Sequence, residues 1–354
     1  MLGHARWLLW DGHFRWIQEP HPWWSNLIAY ASAGLRYGHE AVICFFVLSG
    51  FFIHFRWARS AAHGRTTQFD LSDYAKRRAH RLVPPYMVAL LSTLTLDTLG
   101  RFYFPWLYVA ETGDDLLDRT FGRGGYSPSN VVPALLLLPG SLERDFGSNG
   151  PLWSLAYEFV YYALYPAWLW ARVRIRMWAY PAACLAAVAL SAVAPLPFIG
   201  SVFLMYPLWL AGAAMAEYML RPPQRAPGMF WSIVLAGAGF VGFHFLKPPW
   251  VLVPYLLLGV GIVGAASAVN QAVADSRVHR TFEWLGLRSY TIYVCHFPFL
   301  ALVSAAVFDA VGRRPSSGWL AAASVCMALA WCNAMWWVGE RRYLHARFSL
   351  GSTS

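Results

Sequence analysis

The sequence predicts an all-α fold, a polytopic transmembrane helix bundle of about ten spans with the first one truncated. Three observations carry that expectation. Of 354 residues, 58% are hydrophobic and only 13% are charged, whereas a soluble domain carries about a quarter charged residues. Apolar runs of about twenty residues recur along the chain, the length that crosses about 30 Å of hydrocarbon. Tryptophan and tyrosine are abundant, at 19 and 18 residues, as suits aromatic belts at the two membrane interfaces. The net charge of +10 then reads as basic ends of spans on one side, and no nucleic-acid partner is expected. Cys44, Cys184, Cys295, Cys326 and Cys332 lie in apolar segments without paired spacing. Neither a disulfide framework nor a metal site is therefore expected.

The elements follow in order. Residues 2–10 form an apolar piece far too short to span, so the single membrane domain over 1–354 is expected to start inside an incomplete first helix. Residues 11–38 read as a loop and an interfacial helix. A span follows at about 39–56. The basic stretch 56–81 holds Ser72–Asp73 before YAKRRAHRL, a short capped helix lying on the surface. Pro84–Pro85 open a span to about 100. Residues 101–150 form a long hydrophilic loop, apolar only at 131–139. Further spans are expected near 151–171, 177–194, 198–219, 229–246, 250–270, 289–309 and 318–338.

Lysine and arginine set the orientation. The segments 56–81, 172–176, 221–228, 271–288 and 339–354 hold 18 of the 28 basic residues and are expected on the cytoplasmic side with the C-terminus. The 101–150 loop has six acids against four arginines and is expected outside. Arg313 and Arg314 run against this pattern.

Five groups could carry chemistry. The stretch NGPLWSLAYEFVYYALYP at 149–166 places Glu158 where a carboxylate costs roughly 2.5–3.5 kcal/mol. Ser154, Glu158, Tyr162 and Tyr165 fall on one helical stripe that protein or a wet cavity must solvate, with Trp153 at its start. His4 is a histidine near a terminus, equally well a chance occurrence. Ser49–Gly50 let a neighbouring backbone come close, and helix packing explains them as well as function does. Arg77, Arg78 and Arg81 either attract anionic lipid or form a fork for phosphates. His296, one turn after Tyr293 and beside Pro298, is more often structural than chemical in such a setting. No Gly-x-Ser-x-Gly elbow is present.

Four blocks occur in a characteristic order: FFVLSGFFI at 45–53, YAKRRAHRLVPPY at 74–86, PLWSLAYEFVYYALYP at 151–166 and LGLRSYTIYVCHFPF at 285–299. In these the chain resembles the acyltransferase-3 family of integral-membrane O-acyltransferases, and Glu340–Arg341 resembles the acidic close of that family's last helix. The resemblance implies a ten-helix bundle that moves an acyl group from cytoplasmic acyl-coenzyme A to a hydroxyl. The implied acceptor is a cell-envelope or exported carbohydrate, or a lipid-linked glycan. The implied location is the bacterial inner membrane, in contact with lipid. His4 takes the place of a base that ends the family's first helix, and the arginine paired with it would lie upstream of Met1. Arg77, Arg78 and Arg81 would hold the coenzyme A phosphates. Glu158 would orient or charge-stabilise a reacting partner, with Ser49, Gly50, Trp153, Ser154, Tyr293 and His296 shaping the substrate cavity. A multi-pass transporter is the competing expectation, weakened by the lack of an inverted repeat.

Overall fold

The computed structural model describes residues 1–10, 23–64, 69–220, 228–246, 250–272, 276–315 and 318–341. The helices are α1 (Leu2–Leu9), α2 (Trp23–Ala31), α3 (Gly38–Ala62), α4 (Leu71–Tyr103), α5 (Pro105–Tyr108), α6 (Asp115–Phe121) and α7 (Pro128–Leu135). They continue as α8 (Trp153–Ile175), α9 (Ala179–Val193), α10 (Pro197–Leu220), α11 (Met229–Phe245), α12 (Leu252–Ala272), α13 (Arg277–Val311) and α14 (Trp319–Gly339). Hydrocarbon offers no partner to backbone N–H and C=O groups, so apolar runs close their hydrogen bonds within the segment. The strands β1 (Gly124–Gly125) and β2 (Asp145–Phe146) pair in parallel.

Among the described residues, seven segments are long and apolar enough to cross a membrane: Asn26–Ala62, Leu71–Tyr103, Gly150–Val193, Pro197–Leu220, Leu252–Val269, His279–Val311 and Trp319–Gly339. The chain is an integral membrane protein of helices, and about ten spans are not confirmed among the described residues. Helix α1 has 8 residues and α11 has 17, about 12 and 25 Å at 1.5 Å per residue. Helices α8 and α9 run together through one 3-10 turn at Arg176–Trp178, so two expected spans form one apolar stretch.

The basic surface helix expected before Pro84 is instead the first part of α4, which continues unbroken through both prolines. Each proline removes one donor and frees the carbonyl four residues earlier. Here those carbonyls belong to His80 and Arg81, both exposed residues. Helix α13 likewise begins at Arg277, well before the expected span.

The chain folds into two compact units, each assembled from separated stretches. The first comprises Met1–Gly38, Ser72–Ala156 and Glu283–Ser354. Its apolar cluster joins Leu8, Leu9 and Trp10 of the N-terminal segment to Leu107, Tyr108, Leu117 and Phe121 of the 101–150 segment. Phe297, Leu300 and Ala301 of α13 and Ala321 and Ala328 of α14 complete it. Expected as one hydrophilic loop, 101–150 holds α5, α6, α7 and the strand pair. Buried Asp97 anchors its far end, accepting from the Ser148 amide at 2.6 Å, the Ser148 hydroxyl at 2.6 Å and the Tyr126 hydroxyl at 2.8 Å. Gly147 bends the chain there with φ +55, and a β-carbon on it would strike the Asp97 carboxylate and the Tyr126 hydroxyl.

The second unit comprises His39–Leu71 and Tyr157–Phe282. Its helices cross where side chains are missing: a β-carbon on Gly50 would run into the Trp209 carbonyl, and one on Gly212 into the Val47 carbonyl. Gly239 and Gly261 do the same for α11 and α12. Without a hydrophobic drive between helices in lipid, such close backbone approach carries the association.

Candidate functional site

Helix α13 organises the first unit. From Tyr290 to Ser304 its buried residues are Tyr290, Thr291, Val294 to Pro298, Leu300, Ala301 and Ser304, so around His296 it is buried on nearly every side. Pro298 interrupts the helix and frees the Val294 carbonyl four residues back. Asn149, buried just before α8, donates its Nδ2 to that carbonyl at 2.9 Å and to Thr93 Oγ1 of α4 at 3.0 Å. One side chain thus repairs the proline defect and ties α4, α13 and the segment before α8 together.

His296 is 1% exposed. Its Nδ1 lies 2.8 Å from the Ile292 carbonyl and 2.9 Å from the Tyr293 carbonyl. Carbonyls only accept, so Nδ1 carries the ring proton and Nε2 holds the lone pair. Among the described residues, that buried Nε2 has no hydrogen-bond partner. The His4 ring stands 5.3 Å from the His296 ring and 5.0 Å from Phe297. His4 has the opposite arrangement, since its Nδ1 accepts from the Trp7 indole N–H at 3.2 Å, which puts its proton on Nε2. Ser304 Oγ donates to the Leu8 carbonyl at 3.1 Å, Arg314 Nη1 donates to the Trp7 carbonyl at 3.0 Å, and Gly3 meets the Leu35 backbone. The Ser304 bond holds α1 against α13, and the other two tie α1 to the segments around Leu35 and Arg314.

Leu285, Ser289, Ile292 and His296 recur at four, three and four residues and share one face of α13. With Tyr293 and Met1 they line a cleft of about 280 Å³. The Tyr293 hydroxyl donates to the Pro151 carbonyl at 2.5 Å and accepts from Ser154 Oγ at 2.5 Å. His4, His296, Tyr293 and Ser154 therefore lie in one unit, whereas Glu158, on the same stripe as Ser154 in the sequence, and Ser49–Gly50 fall in the other. Trp153, half-buried, packs over Gly140.

The arginines lie near the start of α4. Arg77 pairs with Asp73, Arg78 lies over the Tyr74 ring at 5.7 Å, and Arg81 is exposed. Tyr290 Oη donates to the Leu82 carbonyl at 3.2 Å, and Thr291 Oγ1 donates to Glu340 at 2.5 Å. Arg81 and Arg288 both act electrostatically on that carboxylate. The α4 segment that follows the arginines thus meets α13 at Tyr290, six residues from His296, about 9 Å along the helix.

Glu158 is buried at 1% exposure in the second unit, as are Ser49 and Gly50. Gly50 takes the close-packing part already described. The second unit also holds a network that the sequence reading passes over. Glu217 accepts from Arg172 Nε at 2.8 Å, from the Tyr180 hydroxyl at 2.8 Å and from His54 Nε2 at 3.0 Å. Its signal was in the sequence: an acid inside the apolar run AGAAMAEYML, as unusual there as Glu158. Asp97 in α4 carried the same signal.

The acyltransferase-3 family model, described as an acyltransferase domain, matches residues 1–337. A relative described as acyltransferase MdmB, from Streptomyces mycarofaciens, is 26% identical over 296 residues, covering 73% of this chain and 67% of the relative. No solved structure matches the chain.

Proposed function

Because the chain belongs to the acyltransferase-3 family and is an acyltransferase, we propose that it moves an acyl group, in the simplest case acetyl, from cytoplasmic acyl-coenzyme A to a hydroxyl of a cell-envelope or exported carbohydrate. The observation that carries the reading is His4 packed against buried His296, which lines an open cleft, in a chain matched to that family along nearly its whole length. Transfer to an alcohol requires a base on the hydroxyl, a donor for the oxyanion and a grip on the leaving group. The histidine pair supplies the first two. Arg77, Arg78 and Arg81 hold the phosphates of coenzyme A, for which guanidinium offers a matching fork. Glu158 orients or charge-stabilises a reacting partner, while Tyr293, Ser154 and Trp153 shape the cavity. The reading places the protein in the bacterial inner membrane with the 101–150 segment outside and the C-terminus in the cytoplasm.

Membranes containing the protein should release coenzyme A thiol from acetyl-coenzyme A in step with acetylation of envelope glycan. Replacing Arg77, Arg78 and Arg81 together by glutamine should raise KM for acetyl-coenzyme A at least about tenfold, each charged contact being worth about 1.5–3 kcal/mol. An unchanged KM would remove the arginines from the donor site.

A further inference from the structure

We propose that an anionic phospholipid occupies the open groove between α8, α9 and α10 of the second unit, with one acyl chain in the groove and its phosphodiester headgroup among the arginines at one end. The groove has a volume of about 330 Å³, and seven of its thirteen lining residues are alanine. Of the thirteen, only Trp168 and Tyr206 carry a polar side-chain atom. Small residues elsewhere in this unit bring backbones together, as at Gly50 and Gly212. Here the alanines leave space instead. The lining runs from Leu164 to Ile175 on α8 and from Ala179 to Leu190 on α9, recurring at three and four residues on one face of each helix. Each run rises about 16 Å at 1.5 Å per residue, close to half of the hydrocarbon core of about 30 Å. The groove therefore has the depth of one leaflet. Exposed Leu185, Val188 and Val193 put the outer side of α9 in lipid. Walls left without neighbours forgo their dispersion contacts, so the groove is filled from that lipid. Along such a length 330 Å³ is too narrow for a helix about 10–12 Å across. A single hydrocarbon chain fits.

Charge lies at one end of the groove. Ile175 closes both α8 and its groove face, and its chain neighbours Arg174 and Arg176 are exposed. Arg172 stands over the Trp57 ring at 5.8 Å, which brings the end of α3, with exposed Arg56 and Arg59, to the same place. Two acids lie there among the described residues. Glu217 is spent on Arg172, Tyr180 and His54, and Asp70 follows Phe69, whose ring packs on Tyr165 at 5.9 Å. Four exposed arginines thus stand against one exposed carboxylate. Exposed Trp170 and Trp178 flank the turn, with Arg174 3.9 Å above the Trp170 ring, and tryptophan in such a position marks the level of the headgroups. Guanidinium grips phosphate oxygens through two donors, and basic residues at the surface draw anionic lipid in preference to neutral lipid. An apolar groove one leaflet deep with a cationic end matches a phospholipid of net negative charge. None of these residues enters the acyl-transfer reading, which stands or falls separately.

The test follows thermal unfolding of the full chain in detergent. Dimyristoyl phosphatidylglycerol should raise the midpoint, reaching half its effect at a concentration about tenfold or more below that of dimyristoyl phosphatidylcholine. Glycerol phosphate, a head without a chain, should leave the midpoint unmoved. Arg174→Gln with Arg176→Gln should bring the two lipids within about threefold of each other. Ala183→Leu with Ala186→Leu fills the groove and should remove at least half of the shift that phosphatidylglycerol gives. Equal action of the two lipids on wild type, a full shift from glycerol phosphate, or either variant behaving as wild type overturns the site. Should a variant fail to fold, wild type decides alone, using phosphatidylglycerol with a photoreactive diazirine on its acyl chain. Cross-links concentrated between residues 164 and 190 support the site, and cross-links spread evenly over the lipid-facing helices overturn it.

Discussion

His54 and His296 are both buried histidines on apolar helices, both beside aromatic rings, yet their surroundings treat the two ring nitrogens differently. In the second unit His54 is closed on both sides. Its Nε2 pairs with Glu217 at 3.0 Å and its Nδ1 with the Tyr165 hydroxyl at 3.2 Å, with Trp57 stacked 4.9 Å away. In the first unit His296 is closed on one side only. The contrast separates two uses of one residue type. A histidine saturated by its neighbours holds helices together, whereas His296, among the described residues, keeps one ring nitrogen without a hydrogen-bond partner. Residue type and burial do not distinguish them; the count of partners does.

The largest effect should come from breaking the closed member. Glu217→Ala leaves Arg172 and His54 in a buried site without their carboxylate, and losing one partner of such a network costs about 3–5 kcal/mol. Thermal unfolding in detergent should show a large drop in midpoint for Glu217→Ala and a smaller one for Glu217→Gln, which keeps a hydrogen-bonding acceptor. Equal midpoints for wild type and Glu217→Ala would mean that the network contributes nothing and that the contrast with His296 is false.

A middle-sized effect should follow at Asn149. Its bond to the Val294 carbonyl exists because Pro298 removed the helical donor, so Asn149→Ala should cost about 1–3 kcal/mol. Pro298→Ala restores an N–H to that carbonyl. The double variant should therefore lose less than the sum of the two single losses, a coupling that a double-mutant cycle on unfolding midpoints reads directly. Strict additivity would show that Asn149 does not repair the proline.

The smallest effect concerns the 101–150 segment. Burial raises the Asp114 carboxyl, but its bonds to Arg314 and to the Leu117 and Leu116 amides outweigh burial and hold it below the usual carboxylate value. The stabilisation is thus fully present above the unfolded value of about 3.9 and is lost as pH falls through the lower folded value. Midpoints of wild type and Asp114→Asn measured from pH 6 down to pH 2 should differ most at the top of that range and converge toward the bottom. A constant gap would assign the loss to something other than the Asp114 charge.

Much of this was legible before any coordinates. Apolar runs must become helices because hydrocarbon satisfies no backbone group, and the ordered blocks around Ser49–Gly50, Arg77–Arg81, Glu158 and His296 marked the family. Of the two readings the sequence left open for Gly50, the structure shows the close packing, against the Trp209 carbonyl. The segment boundaries were less legible. Proline is a breaker by local rule, yet α4 runs through Pro84–Pro85 and α13 through Pro298: the first two free carbonyls of exposed residues, and Asn149 satisfies the one that Pro298 frees. The Glu217 network escaped notice because His54, Arg172 and Tyr180 lie 163, 45 and 37 residues from their shared acid, and no local pattern links such distances.

The sequence by itself determined the class of this protein, a helical membrane acyltransferase, since composition, period and motif order are local properties written along the chain. Only the tertiary structure decided which nitrogen of each histidine is spoken for. That depends on the carbonyls, indoles and carboxylates that packing brings within about 3 Å, the range over which a hydrogen bond forms.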